Sequence, residues 1–355
     1  MDFGREVIRL MQGVHGGDIY RNEVNMDFSV NINPLGMPDK VKAALQRAVG
    51  RCGEYPDQEA GRLKEAVSRA LSVPGEYFLF GNGASELFMG LVHGIRPEKI
   101  MIPVPSFYGY EYAAKAAEAD IVYFPLKEED GFLPKEDFLE RLTEDIDLLF
   151  LANPNNPTGK PVSGEYLEKL LKKCREKNIY VALDECFIEF CAGIPSMLSK
   201  VREYDNLLLI RAFTKVFAIP GVRLGYLVCS NQKLLEKIRE QLSEWNLSVF
   251  AQDAGIACAD SLSFVKESAE YVKTERQVLT ERLRKLGLRV YPGEANFILF
   301  YSEKPLYERL LQRGILIRDC GNFRGLSKGY YRIAVKSRGD NEKLWKAIGE
   351  CIGFE

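Results

Sequence analysis

Histidine is almost missing from this chain: its 355 residues include two, His15 and His93. A His-rich metal centre is thereby excluded. A Ser-His-Asp triad would need one of those two, and no G-x-S-x-G elbow exists to present the serine. Net charge is nearly missing as well, with 48 Lys+Arg against 50 Asp+Glu. Nucleic-acid binding needs a basic excess or a basic face, so the balance argues against it. No apolar run approaches the roughly 20 residues of a membrane span. The opening MDFGREVIRL has early acids where a signal peptide would place an apolar block. None of the eight cysteines forms a C-x-x-C pair. The expectation is therefore reduced thiols in a cytoplasmic protein.

What is present is an ordinary globular mixture, 46% hydrophobic and 28% charged, long enough for about two domains. Apolar runs at 77–80, 99–104, 120–126, 147–153, 179–185, 206–213 and 224–230 read as strands, separated by amphipathic stretches. In one of these, Leu167, Leu170, Leu171 and Cys174 fall at i, i+3, i+4, i+7 and make one helical stripe. Such alternation predicts an α/β fold with a mostly parallel sheet covered on both faces. We expect an N-terminal arm over 1–36 and a large α/β domain over 37–250. A connecting helix over 251–286 would then lead to a small α+β domain over 287–355.

Four features bear on chemistry. Lys215 is the only charged residue between Arg211 and Arg223, amid Phe213, Val216, Phe217, Ala218, Ile219 and Pro220. Most lysines are solvated, but an ammonium in such company is desolvated, which lowers its pKa and frees a nucleophilic amine. Asp184 ends the strand IYVALDE, and strand-end carboxylates are often plain caps. In an open α/β sheet, however, ligands sit outside the carboxyl ends of strands. The run NPNNPTGK (153–160) is a loop on any reading, and in a functional one Asn156 meets a ring hydroxyl. Finally, GNGASE (81–86) is a Gly-rich turn entering a helix. Glu86 stands where a dinucleotide fingerprint needs its third glycine, but a single phosphate could be held there. Gly159–Lys160 is followed by Pro161, so it is no P-loop.

Together, NPNNPTG, Asp184, Lys215 and Arg223 resemble in order and spacing the fold-type I pyridoxal-phosphate (PLP) enzymes of the class I/II aminotransferase superfamily. The histidinol-phosphate aminotransferase branch fits best. Within it HGGDIY, DFSVNINPLGMP, YPD, TKVFAIPGVRLGYLV, YPGEANFILF, ILIRDC and YYRIAVKS are similar to the threonine-phosphate decarboxylases of cobalamin biosynthesis.

The resemblance implies a seven-stranded, mostly parallel sheet sandwiched by helices, with a smaller C-terminal domain. It implies PLP as cofactor, a homodimer with shared active sites, and a phosphorylated amino acid as substrate. Lys215 would condense with the cofactor aldehyde and move the proton at Cα, and Asp184 would keep the pyridine nitrogen protonated. Asn156 would bond the ring hydroxyl and Phe107 would stack on the ring. Gly83, Ala84, Ser85, Thr214 and Arg223 would hold the cofactor phosphate, with Tyr55 reaching in from a neighbour. Arg332 would grip the substrate carboxylate; His15 and Arg318 would bind its phosphate, and Asn33 and Gly36 would line the pocket. Phe187 stands where many of these aminotransferases have tyrosine. Ala212 stands where relatives usually place Ser or Thr, a loss of about 1.5–3 kcal/mol if the bond is not replaced. The implied reaction is decarboxylation of L-threonine O-3-phosphate, with an aminotransferase acting on histidinol phosphate as the alternative.

Overall fold

The computed structural model describes residues 16–353. Its first strand, β1 (Met26–Asp27), stands apart from the seven that follow. These are β2 (Phe78–Gly81), β3 (Lys99–Val104), β4 (Asp120–Pro125), β5 (Leu148–Ala152), β6 (Tyr180–Asp184), β7 (Leu207–Ala212) and β8 (Gly225–Val228). They form one sheet in the order β2-β8-β7-β6-β5-β3-β4. β8 runs antiparallel to both neighbours, and the other pairings are parallel. Every residue of β5 and β7 is buried, as helices on both faces require, whereas edge strand β4 is half-exposed. One covering helix, Gly164–Glu176, buries the expected stripe of Leu167, Leu170, Leu171 and Cys174. Its start is set by Ser163, whose Oγ accepts from the Tyr166 amide at 3.3 Å.

The stretch read as one connecting helix is two, Val249–Ala259 and Leu262–Lys285. At the break the Ser261 hydroxyl donates to the Ala257 carbonyl at 2.8 Å, so a side chain occupies the acceptor that a continuing backbone would use. The first helix packs on Asp39–Ala48 and Gly61–Leu71, and Ala251, Ala254 and Cys258 join the large core. The second places Val272 in that core, and Leu279 and Leu283 in a separate, smaller one.

That smaller core lies against an antiparallel sheet. Its strands come from β9 (Arg289–Tyr291), β10 (Phe297–Tyr301), β12 (Arg318–Asp319) and β13 (Tyr330–Ala334), while β11 (Ile315–Leu316) pairs with β1 instead. Strand alternation splits the sheet in two. Ile298, Phe300, Tyr331 and Ile333 enter the small core; Phe297 and Leu299 of β10 and Tyr330 of β13 pack on the other face, toward the large domain.

The residues before the large domain do not run free. β1 pairs in parallel with β11, and Phe28 is fully buried in the small core. Asn33 then ties the segment to the large domain. Its Nδ2 donates to the Val216 carbonyl at 2.6 Å and the Ser268 hydroxyl at 2.7 Å, and its Oδ1 accepts from the Leu35 amide at 3.0 Å. Among the described residues no helix is long and apolar enough to cross a membrane. All eight cysteines are free; Cys52 is exposed and the other seven are buried.

Asn33→Ala strands the buried carbonyl of Val216, one residue beyond Lys215. A loss of about 1–3 kcal/mol is expected in urea denaturation, and a change below about 0.5 kcal/mol would show that the tether is idle.

Candidate active site

Six of the seven large-sheet strands point the same way, so their carboxyl ends open on one edge. Side chains from those ends and from the outer face of the small sheet enclose a cavity of about 240 Å³. Phe107 follows β3, Asn156 follows β5, Asp184 ends β6, Ala212 ends β7, and Thr214 and Lys215 follow it. Arg318 and Arg332 enter from β12 and β13. Among the described residues its charged lining is therefore four cations, Lys215, Arg223, Arg318 and Arg332, and one carboxylate, Asp184.

This imbalance sets the electrostatics. Burial lowers the Lys215 pKa to about 8, and Arg332 and Arg223 push it the same way. Arg332 is itself pulled down to about 10, first by burial and then by Arg318. Burial likewise raises Asp184, opposed by hydrogen bonds from its neighbours. The Tyr110 hydroxyl donates to Asp184 Oδ2 at 2.5 Å, and the Cys186 amide donates to Oδ1 at 2.9 Å. No cation contributes to that set, so a ligand cation would find this carboxylate without a rival among the described residues.

The NPNNPTGK loop divides its work among three asparagines. Asn153 Oδ1 accepts from the Val162 amide at 2.9 Å, and Asn155 Nδ2 donates to the Pro105 carbonyl at 2.9 Å, which fixes the loop. Asn156 is left to the cavity, where its Oδ1 accepts from an Nη of Arg332. The other Nη donates to the Ser29 carbonyl at 2.9 Å, and the buried Nε has no partner among the described residues.

At the opposite wall the turn after β2 makes a cradle. Gly225 of β8 pairs with Gly81 and Ala212, and a Cβ there would meet Ala84 N at 2.9 Å and Gly83 C at 3.0 Å. Only glycine lets the turn lie this low. Gly83 has φ +78°, and a Cβ on it would come within 2.4 Å of Arg223 Nη2. The guanidinium can thus sit over the first turn of the helix Ala84–Ile95, whose amide ends and dipole favour an anion.

Of the residues expected from the sequence, Ala84, Ser85, Phe107, Asn156, Asp184, Thr214, Lys215, Arg223, Arg318 and Arg332 line this one cavity. Gly83 lies just behind it. Phe187 is also in the wall, its ring edge-on to Phe297 at 5.1 Å. Ala212 lines the cavity beside Thr214, the hydroxyl available where Ala212 has none. Asn33 and Gly36 stand outside the wall: Asn33 is consumed by its three bonds, and Gly36 serves a turn at φ +77°. In their place Ser29, Val30 and Asn31 of the same segment face the cavity. Tyr55 is 82% exposed, beside Trp245 at 5.1 Å, and does not reach its own chain's cavity. His15 lies outside the described residues.

Sequence reasoning did not single out Tyr110. Its ring, stacked on Phe150 at 5.1 Å, aims the hydroxyl at Asp184. A tyrosine three residues beyond Phe107, on the buried side of the helix Tyr108–Ala116, was the available signal.

The donor set matches PLP chemically: an anion cradle at Gly83–Ser85 and Arg223, an amine of lowered pKa, and a buried carboxylate open to a ring cation. The aminotransferase class I and II family model matches residues 23–349. Threonine-phosphate decarboxylase of Salmonella typhimurium is 35% identical over 355 residues, covering 97% of this chain and 98% of the relative. Histidinol-phosphate aminotransferase 2 of Archaeoglobus fulgidus is 34% identical, covering 98% and 99%. The solved histidinol-phosphate aminotransferase of Clostridium acetobutylicum superposes with TM-score 0.87 at 35% identity, covering 92% of this chain and 99% of that one. The chain belongs to the class I and II aminotransferase family, with the fold-type I architecture of PLP-dependent enzymes.

Proposed function

We propose that this enzyme decarboxylates L-threonine O-3-phosphate to aminopropanol phosphate, as a step of cobalamin biosynthesis. The observation that carries this reading is the pair Arg318 and Arg332, both buried in the wall of one cavity that also holds Lys215. Two fixed guanidinium groups suit a substrate with two anionic groups, a carboxylate and a phosphate. Histidinol phosphate has only the phosphate, so in an aminotransferase the full pair would be used by the 2-oxo acid and not by the phosphorylated substrate. Likeness to the Salmonella decarboxylase over nearly the whole of both chains supports the same choice.

In this reading PLP, when bound, supplies an electron sink for whichever bond at Cα is aligned with it. The chain's own residues decide which bond that is. Arg332 grips the carboxylate through its fork, and Arg318 anchors the phosphate at the other end of the substrate. Held at both ends, the substrate presents its Cα–carboxyl bond instead of its Cα–hydrogen bond. Carbon dioxide leaves, and Lys215 Nζ delivers the proton that takes its place on Cα. With a pKa of about 8, Lys215 can hold and release that proton near neutral pH. Asp184, steadied by Tyr110 and Cys186, keeps the ring nitrogen charged. Asn156, already bonded to Arg332, couples the cofactor's ring hydroxyl to the group that holds the carboxylate. We further read the working unit as a homodimer, in which the exposed Tyr55 reaches a partner's cofactor phosphate. The second reading, a histidinol-phosphate aminotransferase, uses the same lysine and is favoured by the likeness to the Clostridium structure.

With PLP and threonine phosphate but no 2-oxo acid, purified protein should release carbon dioxide and aminopropanol phosphate. Imidazole-acetol phosphate and glutamate, formed from histidinol phosphate and 2-oxoglutarate, would move the assignment to the second reading. Separately, acylation of Lys215 in cofactor-free protein, followed by mass spectrometry, should climb with pH through a midpoint near 8 and level off above it. Solvated lysines have their midpoint at about 10.4. Arg332→Gln should shift the Lys215 midpoint upward, because it removes a neighbouring positive charge. A wild-type midpoint above about 10 would contradict the desolvated amine.

A further inference from the structure

Away from the cavity, the two domains meet at a second polar contact that the chemistry above does not use. Glu128 lies in the large domain, just beyond β4. Its Oε1 accepts from the Tyr291 hydroxyl at 2.6 Å and from Arg289 Nη1 at 2.8 Å, and its Oε2 accepts from the Tyr330 hydroxyl at 2.6 Å. All three donors belong to the small domain, on β9 and β13. The two tyrosine rings are buried and stacked, with centroids 5.7 Å apart. Around them Leu126 and Phe132, which flank Glu128 in sequence, pack with Leu299 and Cys320 in a separate apolar cluster.

Strand geometry links this contact to the cavity. Tyr330 and Arg332 are two residues apart on β13 and so share a face of the sheet. Arg318 of β12 is paired directly with Arg332. A carboxylate that fixes Tyr330 therefore fixes the rail from which both cavity arginines project. Three donors on one carboxylate, two of them from rings already immobilised by stacking, leave that rail little freedom to tilt.

We propose that Glu128 is a positioning residue, holding the small-domain sheet at the angle that brings Arg332 and Arg318 onto the substrate. The inference rests on the reading that these arginines grip the substrate's anionic groups. Glu128 touches neither cofactor nor substrate, so its loss should weaken substrate binding while cofactor binding stays intact.

The test compares the wild-type holoenzyme with Glu128→Gln, Tyr330→Phe and the double variant. KM for threonine phosphate should rise about five- to tenfold in each single variant, with PLP affinity and the cofactor absorbance band unchanged. The double variant should be no worse than the more impaired single one, because both remove the same coupling. Amide exchange should rise in 289–291 and 328–335 and stay level in 207–216. Unchanged exchange in those segments, or raised exchange with unchanged KM, would overturn the proposal. So would lost PLP affinity, which would mark a general folding defect. If the wild type proves to be an aminotransferase, the same comparison is made with the KM for 2-oxoglutarate. If it turns over neither substrate, the functional reading fails, and the calorimetric affinity for threonine phosphate then decides the Glu128 question by the same criteria.

Discussion

Among the described residues, four positive side chains share a small cavity with a single carboxylate, and the remaining properties of the site follow from that imbalance. Like charges held close in a partly dry space disfavour one another. The group best able to yield is the lysine, since a guanidinium does not give up its proton at physiological pH while an ammonium can. Arg332 and Arg223 thus do more than wait for anions: before any ligand arrives they help hold Lys215 close to a reactive amine. Anions that bind reverse the pressure. The same cations that activate the lysine also define what can enter.

The small domain explains how two such cations are kept buried. Arg332 has two of its nitrogens satisfied, by Asn156 and the Ser29 carbonyl, and Arg318 is held by Asn322 and lies 5.0 Å from the Phe323 ring. These contacts come from three parts of the chain: the loop after β5, the segment after β1, and the loop after β12. The cavity is therefore a product of three-way assembly and not of one local motif.

Much of this was legible in the sequence because it is written locally. Seven apolar runs gave the large sheet, since strands buried on both faces need no polar alternation to reveal them. Lys215 and Asp184 stood out because a charge in an apolar run, or at the end of one, has few bland explanations. What escaped was written across distance. Asn33 looked like a pocket residue, yet all its side-chain bonds go to Leu35, Val216 and Ser268, and only the folded chain puts the last two beside it. Tyr110 depends on the rotation of a helix, and Glu128 on the meeting of two domains. The break at Asp260–Ser261 was hidden because serine and aspartate sit on exposed helix faces as readily as at ends.

The parallel pairing of Met26–Asp27 with Ile315–Leu316, and the burial of Phe28 in the smaller core, bear on biosynthesis. A ribosome emits the first of these segments long before the second. Most of the large core can close before that second segment appears, but the smaller one must wait for it and for the residues beyond it. Until then Phe28 stays without its partners, a greasy side chain in need of shelter during synthesis.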